Sequence, residues 1–262
     1  MSGKIVLHDA AGFAKMRKAG KLAAETLDYI TPYMKAGAKT KDIDDLIHDF
    51  IVSHDAVPAT LGYRGYPKSS CISINHVICH GIPGDKVLMT GDIANVDVTV
   101  ILDGWFGDTS RMYEIGNVGV KAKKLVQVTY DAMMKGIEAV KPGATLGDIG
   151  YVIQKYVESN RYSVVRDFCG HGVGTAFHTE PNVLHYGRKG EGVELKEGMI
   201  FTIEPMVNIG GPDCKILEDG WTAVTRDRSL SAQFEHTVGV TSSGVEIFTL
   251  SPKGLDKPPY VL

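Results

Sequence analysis

Two stretches of the chain follow the same residue pattern and end on a carboxylate. The first ends at Asp97 and the second at Glu204, with the shared positions at a constant offset. Related strands that place an acid at the same point can bring both acids to a common axis, where carboxylate oxygens can bind a metal ion. The matching residues are Leu88, Gly91, Ile93, Val96 and Asp97 in the first copy, and Leu195, Gly198, Ile200, Ile203 and Glu204 in the second.

Asp97 is expected to have a second carboxylate beside it. Asp103-Gly104 is a typical two-residue hairpin turn, and it would place Asp97 opposite Ser110. Asp97 and Asp108 then become diagonal neighbours on one face of the hairpin. Such close acids repel each other and take up a proton unless a cation lies between them. The alternative is that they cap loops or pair with Arg111.

The second half of the chain supplies two further acids. Glu204 matches Asp97, and Glu235 begins a strand-like stretch that follows a second Asp-Gly-Trp sequence at 219–221. Four carboxylates that converge from two halves would suit two metal ions, which weakens the purely structural alternative.

Two further repeats occur in the same order along the chain. Lys35-Ala36-Gly37-Ala38 reappears as Lys141-Pro142-Gly143-Ala144, and Asp103-Gly104-Trp105 reappears as Asp219-Gly220-Trp221. Three ordered matches favour two homologous halves, at about 13–115 and 121–240. Because no linker or low-complexity segment separates them, we predict a single catalytic domain over residues 1–262.

Hydrophobic periodicity predicts helices followed by strands in each half, which is an α+β fold. Helices are predicted over 13–30, 41–53 and 122–140 and directly after Pro142-Gly143, with Thr40 as the cap of the second helix. Strands are predicted over 70–74, 93–102, 105–115, 164–168, 199–207, 220–225 and 235–240. The proline-containing tail at 251–262 predicts a strap without regular structure.

Composition narrows the classes of function. A hydrophobic content of 44% and a charged content of 23% are typical of a soluble globular protein. The net charge of −3 gives no basic footprint for nucleic acid. No apolar run approaches the ~18 residues of a membrane span, and no secretory signal follows the first residues. The four cysteines form no CxxC pair, so we expect reduced thiols in a cytoplasmic protein.

Three histidines stand near glycines. His171 and His178 lie in Gly170-His171-Gly172-Val173-Gly174-Thr175-Ala176-Phe177-His178, whose glycine spacing is not that of a dinucleotide-binding loop. The H-x-E at 178–180 lacks the PCxxC partner of a zinc deaminase. His76 and His80 lack the intervening Glu of a zincin, and His80 taken alone is more often structural.

Seven ordered motifs together resemble the type I methionine aminopeptidases, from about residue 13 to residue 249. Any one of them would be weak evidence, but their number and order make the resemblance specific. They are Cys71-Ile72-Ser73-Ile74-Asn75, Cys79-His80-Gly81-Ile82-Pro83, Asn95-Val96-Asp97-Val98-Thr99, Gly107-Asp108-Thr109-Ser110, Gly170-His171-Gly172-Val173-Gly174, Phe201-Thr202-Ile203-Glu204-Pro205 and Gln233-Phe234-Glu235-His236-Thr237.

The resemblance implies a pita-bread fold, in which two pseudo-symmetric halves surround a dinuclear metal site. Its metal ligands would be Asp97, Asp108, His171, Glu204 and Glu235. Oxygen ligands with a single nitrogen favour Mn²⁺, Fe²⁺, Co²⁺ or Zn²⁺ over a thiolate-seeking metal, and the sequence does not choose among them. The family also has a monovalent cation site, for Na⁺ or K⁺, near the backbone of Asn75, Val77 and Ser231.

The resemblance also implies catalytic roles. Glu204 would accept a proton from the attacking water, His178 would stabilise the oxyanion, and His80 would contact the leaving amide nitrogen. The substrate's α-amine would bind the second metal, which would restrict cleavage to the N-terminus. A pocket for the methionine side chain would be formed by Tyr63, Tyr66, Cys71, Phe177 and Trp221. Thr60 and Arg64 depart from the residues common in bacterial relatives at this pocket.

The expected substrates are nascent polypeptides that begin with Met followed by a small residue. Such substrates imply that the protein acts near the ribosome, with transient association at most. The family resemblance implies a monomer. Alternatives are an X-Pro aminopeptidase or prolidase, which usually carries a sizeable N-terminal domain, and a non-catalytic pita-bread binding scaffold. A type II methionine aminopeptidase does not fit, because the segment between Glu204 and Glu235 is too short for its helical insertion.

Overall fold

Two helices precede most of the strands in each half of the chain. The computed structural model describes residues 4–260. The helices are α1 (Ala10–Ile30), α2 (Thr40–Ser53), α3 (Val120–Glu138) and α4 (Leu146–Ser159). These confirm the four predicted helices, with ends shifted by a few residues. Helix α1 begins early because the side chain of Asp9 accepts the backbone N–H of Gly12 and caps the first turn.

The predicted cap of α2 is wrong. Lys39 occupies the N-cap position, and Thr40 is the first helical residue. The Thr40 hydroxyl instead donates to the carbonyl oxygen of Gly84 at 2.9 Å, so it joins the helix to a neighbouring loop. A side-chain cap is present on α4, where Thr145 and Asp148 form a reciprocal capping box.

Residues 4–260 form fifteen strands, of which five follow α2 and ten follow α4. The first half contains β1 (Val57–Pro58), β2 (Cys71–Ile74), β3 (Val77–Cys79), β4 (Ile93–Leu102) and β5 (Trp105–Glu114). The second half contains β6 (Ser163–Val164), β7 (Gly170–Gly172), β8 (Thr179–Val183), β9 (Ile200–Ile203), β10 (Met206–Asn208), β11 (Cys214–Ile216), β12 (Ala223–Thr225), β13 (Ser231–Gln233), β14 (Glu235–Val240) and β15 (Val245–Ile247).

Three predicted strands are shorter than expected. The stretch predicted over 199–207 divides into β9 and β10 at Glu204-Pro205, because Pro205 has no N–H to continue the ladder and β10 belongs to another sheet. The strand predicted over 164–168 is reduced to β6. The strand predicted over 220–225 begins only at Ala223, because Asp219 accepts the N–H groups of Trp221 and Thr222 and holds a turn.

The acid-bearing strands are neighbours in a nine-stranded antiparallel sheet, in which seven strands have the order β1-β4-β5-β14-β9-β7-β8, while β2 also pairs with β4 and β15 also pairs with β14. The β4–β5 hairpin has the predicted register, with Asp97 opposite Ser110 and Thr99 opposite Asp108. Strand β14 follows directly, with Glu235 opposite Ser110, and β9 lies on the other side of β14. The sheet therefore brings the four acids of the sequence pattern to its central strands.

The face of this sheet that points away from the four acids is covered by helices. Ile47 of α2 and Leu27 of α1 belong to one buried cluster, and Leu125 of α3 and Ile153 of α4 belong to another. Apolar burial of this kind is the main stabilising contribution to the fold. Among residues 4–260, no helix is long and apolar enough to cross a membrane.

Arg111 lies on the helix-facing side of β5. Its guanidinium donates to Asp28 of α1 at 2.5 Å, and both side chains are about 1% exposed. The alternative in which Arg111 pairs with Asp97 or Asp108 is therefore wrong. Ser251 also donates to Asp28 and ties the C-terminal tail to α1. The tail lacks helix and strand through residue 260, as predicted, while residues 261 and 262 lie outside the described range.

Candidate metal centre and substrate cavity

Three side chains from three strands meet at the centre of the sheet. Asp108, His171 and Glu235 each offer one ligand atom, and these atoms lie within 4.8 Å of one another. All three residues are buried. A buried cluster with two carboxylates and one imidazole has the donor chemistry of a divalent transition-metal site.

Asp97 and Glu204 line the same cavity as these three residues. Nε2 of His171 lies 3.5 Å from Oδ2 of Asp108 and 3.6 Å from Oε1 of Glu204. Asp97 lies opposite Cys71 in the β2–β4 pair, with Asp108 one diagonal step away on the other side. The five residues expected as metal ligands are thus assembled around one space.

Glu204 is held at its carboxylate by two neighbours. The Thr202 hydroxyl donates to Oε1 at 2.8 Å, and Nε2 of Gln233 donates to Oε2 at 3.2 Å. The same Thr202 oxygen accepts the backbone N–H of His171 at 3.0 Å. One hydroxyl therefore connects the imidazole strand to the carboxylate that follows β9.

His171 is placed by close backbone contacts on both sides. A Cβ at Gly170 would lie 2.4 Å from the carbonyl oxygen of Thr202, and a Cβ at Gly172 would lie 2.2 Å from that of Glu180. Any side chain at either position would push the strands apart. Glycine is therefore required so that β7 can pack closely enough to bring the imidazole to the acids.

The centre contains more acidic than basic side chains, and this raises the pKa of its carboxyl groups. Burial and the charges of neighbouring carboxylates raise the pKa of Asp97 and of Glu235 well above their usual range. Burial and the charge of Asp108, opposed by His171, raise the pKa of Glu204 to about 7. Burial lowers the pKa of His171, but the hydrogen bond to Asp108 and the charge of Glu204 outweigh it and raise the pKa overall.

These residues fit a divalent metal. Within residues 4–260 the four acids form no ion pair with a lysine or arginine, and His171 is the one basic side chain that contacts them. Buried carboxylates are costly unless they are paired or coordinate a metal. A cation held by oxygen ligands and one imidazole would supply the missing charge.

A cavity of about 550 Å³ opens beside the acids. Its walls include every residue expected to form the methionine pocket, namely Tyr63, Tyr66, Cys71, Phe177 and Trp221, together with Thr60 and Arg64. The Tyr66 and Trp221 rings meet edge to face at 5.1 Å, and those of Tyr63 and Phe177 lie 4.8 Å apart. This volume and this lining suit a small apolar group.

His80 and His178 approach the cavity from different walls. The rings of His178 and His171 are 4.1 Å apart, and His178 stacks on Tyr63 at 5.2 Å. His80 lies edge-on to Trp221 at 6.2 Å. Burial, with His171 nearby, lowers the pKa of His178 to about 4, and burial lowers the pKa of His80. Both imidazoles are therefore neutral at pH 7 and able to donate one N–H each.

Sequence reasoning missed several residues that support the centre. Thr202 and Gln233 hold the Glu204 carboxylate, and His185 accepts its backbone N–H. Thr202 and Gln233 could have been noticed, because each lies two positions before an acid, the spacing at which side chains of an extended chain share a face. His185 gave no comparable signal, since it lies between the motifs that end at Gly174 and begin at Phe201 and belongs to neither.

A curled antiparallel sheet with three acids on its strands, a fourth directly after a strand and a single imidazole at its centre defines a metal-dependent peptidase. The chain belongs to metallopeptidase family M24, whose model matches residues 14–242. This agrees with the predicted pita-bread fold and with the ligand chemistry of the cluster.

The relatives are more specific. The chain is 65% identical over 257 residues to a protein named methionine aminopeptidase from Rickettsia prowazekii, covering 98% of this chain and 99% of that one. A crystal structure of methionine aminopeptidase from Rickettsia prowazekii matches with a TM-score of 0.94 and 64% identity, covering 94% of this chain and all of that chain. The resemblance and the fold inferred from the motifs are thereby confirmed.

The fold extends beyond these relatives. A prolidase from Pyrococcus furiosus matches with a TM-score of 0.76 at 20% identity, covering 93% of this chain and 65% of that chain. At this identity the likeness shows the fold alone. High identity to methionine aminopeptidases favours that activity over the X-Pro alternative.

Proposed function

We propose that this protein is a metal-dependent methionine aminopeptidase that removes the first residue of polypeptides beginning with Met and a small second residue. The observation that carries the proposal is the cluster of Asp108, His171 and Glu235 at the edge of an aromatic cavity. The 65% identity to a protein named methionine aminopeptidase, and the match to a crystal structure of that name, support it further.

Two divalent ions, Co²⁺, Mn²⁺, Fe²⁺ or Zn²⁺, would be held by Asp97, Asp108, His171, Glu204 and Glu235. When bound, such ions lower the pKa of a water molecule and polarise the scissile carbonyl. An additional monovalent cation, Na⁺ or K⁺, is proposed near Asn75, Val77 and Ser231. In support, the Ser231 N–H donates to the carbonyl of Asn75 at 2.8 Å, so the backbones of these two residues are in direct contact.

Glu204 would take the proton from the attacking water. Thr202 and Gln233 hold both of its oxygens, so the carboxylate faces the cavity in one orientation. Burial and the charge of Asp108 raise the pKa of Glu204 to about 7, which suits a group that must accept a proton and release it again. The proton would then pass to the departing amine.

His178 would donate to the oxyanion that forms on the substrate carbonyl, and His80 would contact the leaving amide nitrogen. Both imidazoles are neutral at pH 7, so each can provide a directed N–H without adding charge to the apolar cavity. Their attachment to different walls, beside Tyr63 and beside Trp221, lets them approach a peptide bond from two sides.

The methionine side chain would occupy the space among Tyr63, Tyr66, Cys71, Phe177 and Trp221. Tyr66 is fixed because its hydroxyl lies 3.0 Å from the carbonyl oxygens of both Ser70 and Gly81. Burial of a methionine side chain contributes about 1.5–3 kcal/mol, and aromatic rings add favourable contacts with the thioether. We further propose that the protein acts as a cytoplasmic monomer on nascent chains, with at most transient association with ribosomes.

The decisive experiment is hydrolysis of Met-Ala-Ser and Ala-Pro-Ala by chelator-stripped protein, with and without Co²⁺ or Mn²⁺. Release of Met from the first peptide alone, restored by metal, is the expected result. Cleavage of the proline peptide instead would place the chain among the X-Pro peptidases. Metal binding without cleavage of either peptide would make it a non-catalytic scaffold.

A matched variant tests the role of Glu204. Glu204→Gln keeps the side-chain volume but removes the proton acceptor, and general base catalysis contributes ~10²–10⁴-fold. We expect a loss of turnover of that order at saturating metal. Unchanged turnover in this variant would rule out Glu204 as the base while leaving the identity of the substrate intact.

A further inference from the structure

His185 is a fully buried histidine outside the cavity walls. Its side chain is inaccessible to solvent, and it lies two residues after the end of β8, in a segment whose backbone packs against Gly150 of α4. Its Nε2 accepts the backbone N–H of Glu204 at 3.0 Å. A side chain 19 positions earlier in the sequence thus contacts the main chain of the proposed base.

The N–H of Glu204 needs such a partner because of where it lies. The last residue of β9 that pairs with β14 is Ile203, opposite His236, and Glu204 follows it. Pro205 has no N–H, and the chain then enters β10 in a separate sheet. A backbone donor that is shielded from water and has no acceptor destabilises the fold. His185 supplies the acceptor that the sheet does not.

An imidazole that accepts at Nε2 must be neutral and must carry its proton on Nδ1. Nδ1 of His185 is buried and has no hydrogen-bond partner among residues 4–260. Since no described group at Nδ1 selects the tautomer, the N–H of Glu204 is the contact that selects it. The remaining orientation of the ring comes from packing.

The anchors of Glu204 divide into two kinds. Thr202 and Gln233 hold the carboxylate, whereas His185 holds the backbone at the bend between the two sheets. A shift of the Glu204 Cα would strain or break the two carboxylate hydrogen bonds and so move the carboxylate relative to Asp108 and His171. A backbone anchor at this point therefore affects both proton transfer and metal binding.

We infer that His185 is a positioning residue for the proposed base: its neutral imidazole fixes the backbone of Glu204 and thereby the place of the carboxylate in the metal centre. This inference rests on the proposed function for its kinetic consequences. Its consequence for metal affinity does not depend on the identity of the substrate.

His185→Gln and His185→Asn distinguish the hydrogen bond to the Glu204 N–H from a role of His185 in packing alone. The side-chain end of Gln can occupy the place of Nε2 and offer an oxygen to the Glu204 N–H, whereas the shorter Asn reaches only the place of Nδ1. Partners of this kind around metal ligands contribute ~10–100-fold to metal affinity or activity. We expect His185→Asn to lose kcat on Met-Ala-Ser by that factor, with KM within about twofold, and His185→Gln to recover most of the loss.

Calorimetric titration with Mn²⁺ provides the second measurement. We expect a weaker Kd in His185→Asn, by the same ~10–100-fold, and a Kd near that of the wild type in His185→Gln. Equal losses in both variants, in proportion to a lower melting temperature, would show a merely structural histidine and overturn the inference. Unchanged kcat and Kd in folded His185→Asn would overturn it as well.

The same experiment distinguishes this inference from the proposed function. If wild-type protein fails to release Met, the proposed function is wrong, while the Mn²⁺ titrations of the two variants still decide whether His185 positions Glu204. If the wild type is active and both variants bind Mn²⁺ like the wild type with unchanged kcat, only the role of His185 is wrong.

Discussion

The hydroxyl of Thr202 donates to Oε1 of Glu204 at 2.8 Å, across two residues of the same chain segment. It also accepts the backbone N–H of His171. A single oxygen thereby fixes the distance between a strand that carries the imidazole and the bend that carries the proposed base. Thr202 itself is fully buried, so water cannot replace either contact without rearrangement.

Replacing Thr202 with Val should therefore reduce turnover. The side-chain shape is retained, but a hydrogen bond to a charged group, worth about 1.5–3 kcal/mol, is lost. We expect kcat for Met-Ala-Ser to fall by ~10-fold or more at saturating metal, as measured by initial rates. Thr202→Ser retains the hydroxyl and should recover most of the rate. Equal rates in the Val and Ser variants would contradict a role for the hydroxyl.

Replacing Gly172 with Ala should disrupt the metal centre. The new Cβ would lie 2.2 Å from a backbone oxygen at Glu180, so β7 and β8 would have to separate. We expect a loss of ~1–3 kcal/mol in the free energy of unfolding, as for other overpacked sites, together with weaker Mn²⁺ binding. Urea denaturation and metal titration would measure both effects.

Gly119→Ala is the matched control for that substitution. Gly119 has φ −67° and no atom within 4 Å of the added Cβ, so the change should cost well under about 1 kcal/mol. Comparable destabilisation of the two variants would mean that close packing at β7 is not the cause.

Metal binding should stabilise the fold. Because the clustered acids have no lysine or arginine partner within residues 4–260, a bound cation removes their repulsion in the native state only. At 100 times the Kd, ligand binding contributes about 2.7 kcal/mol, which corresponds to a rise of roughly 5–10 °C in melting temperature. Scanning calorimetry with Mn²⁺ and with EDTA would measure this. Equal melting temperatures in both would argue against a metal centre.

The metal-free protein should become less stable as pH rises from about 5 to about 7. Burial and the charge of Asp108 raise the pKa of Glu204 to about 7, and burial and neighbouring carboxylates raise the pKa of Glu235 well above its usual range. In this window the native state holds protons that the unfolded chain, with ordinary carboxyl pKa values, has released. The free energy of unfolding therefore falls with pH, by at most about 1.4 kcal/mol per group and pH unit.

Urea midpoints of the EDTA-treated protein at pH 5 and pH 7.5 would test this sign. Glu235→Gln removes one of the titrating groups, so its stability should fall less steeply across the window. Glu197→Gln changes an exposed acid outside the centre and should follow the wild type. A fall in Glu235→Gln that is as steep as in the wild type would show that the pKa of Glu235 is not raised.

Opening one wall of the cavity should weaken recognition of methionine. The Phe177 ring packs between Tyr63 at 4.8 Å and Phe106 at 5.7 Å. Phe177→Ala would remove apolar contacts worth about 1.5–3 kcal/mol, so kcat/KM for Met-Ala-Ser should fall by ~10–100-fold. Tyr33→Ala alters an aromatic residue away from the cavity and serves as the control. If the two variants have the same kcat/KM, Phe177 does not bind the substrate.

Much of this protein was determined by local patterns in the sequence. The Asp103-Gly104 turn fixes the register of the β4–β5 hairpin, and the register alone makes Asp97 and Asp108 neighbours. Helical periodicity predicted four helices whose ends moved by only a few residues. The order and identity of the motifs identified the family, because residue types at a metal centre are dictated by its ligand chemistry.

Tertiary structure decided what depends on contacts between distant segments. Whether Arg111 paired with the acids or with Asp28 depended on which face of β5 met α1, and local periodicity does not contain that choice. For the same reason, the Thr40 hydroxyl donates to the carbonyl oxygen of Gly84 and does not cap its own helix. The contact between His185 and Glu204 has the same kind of origin. The chain changes sheets at Pro205, so the Glu204 N–H has no partner in the ladder of β9. A neighbouring segment supplies the acceptor, which is Nε2 of His185.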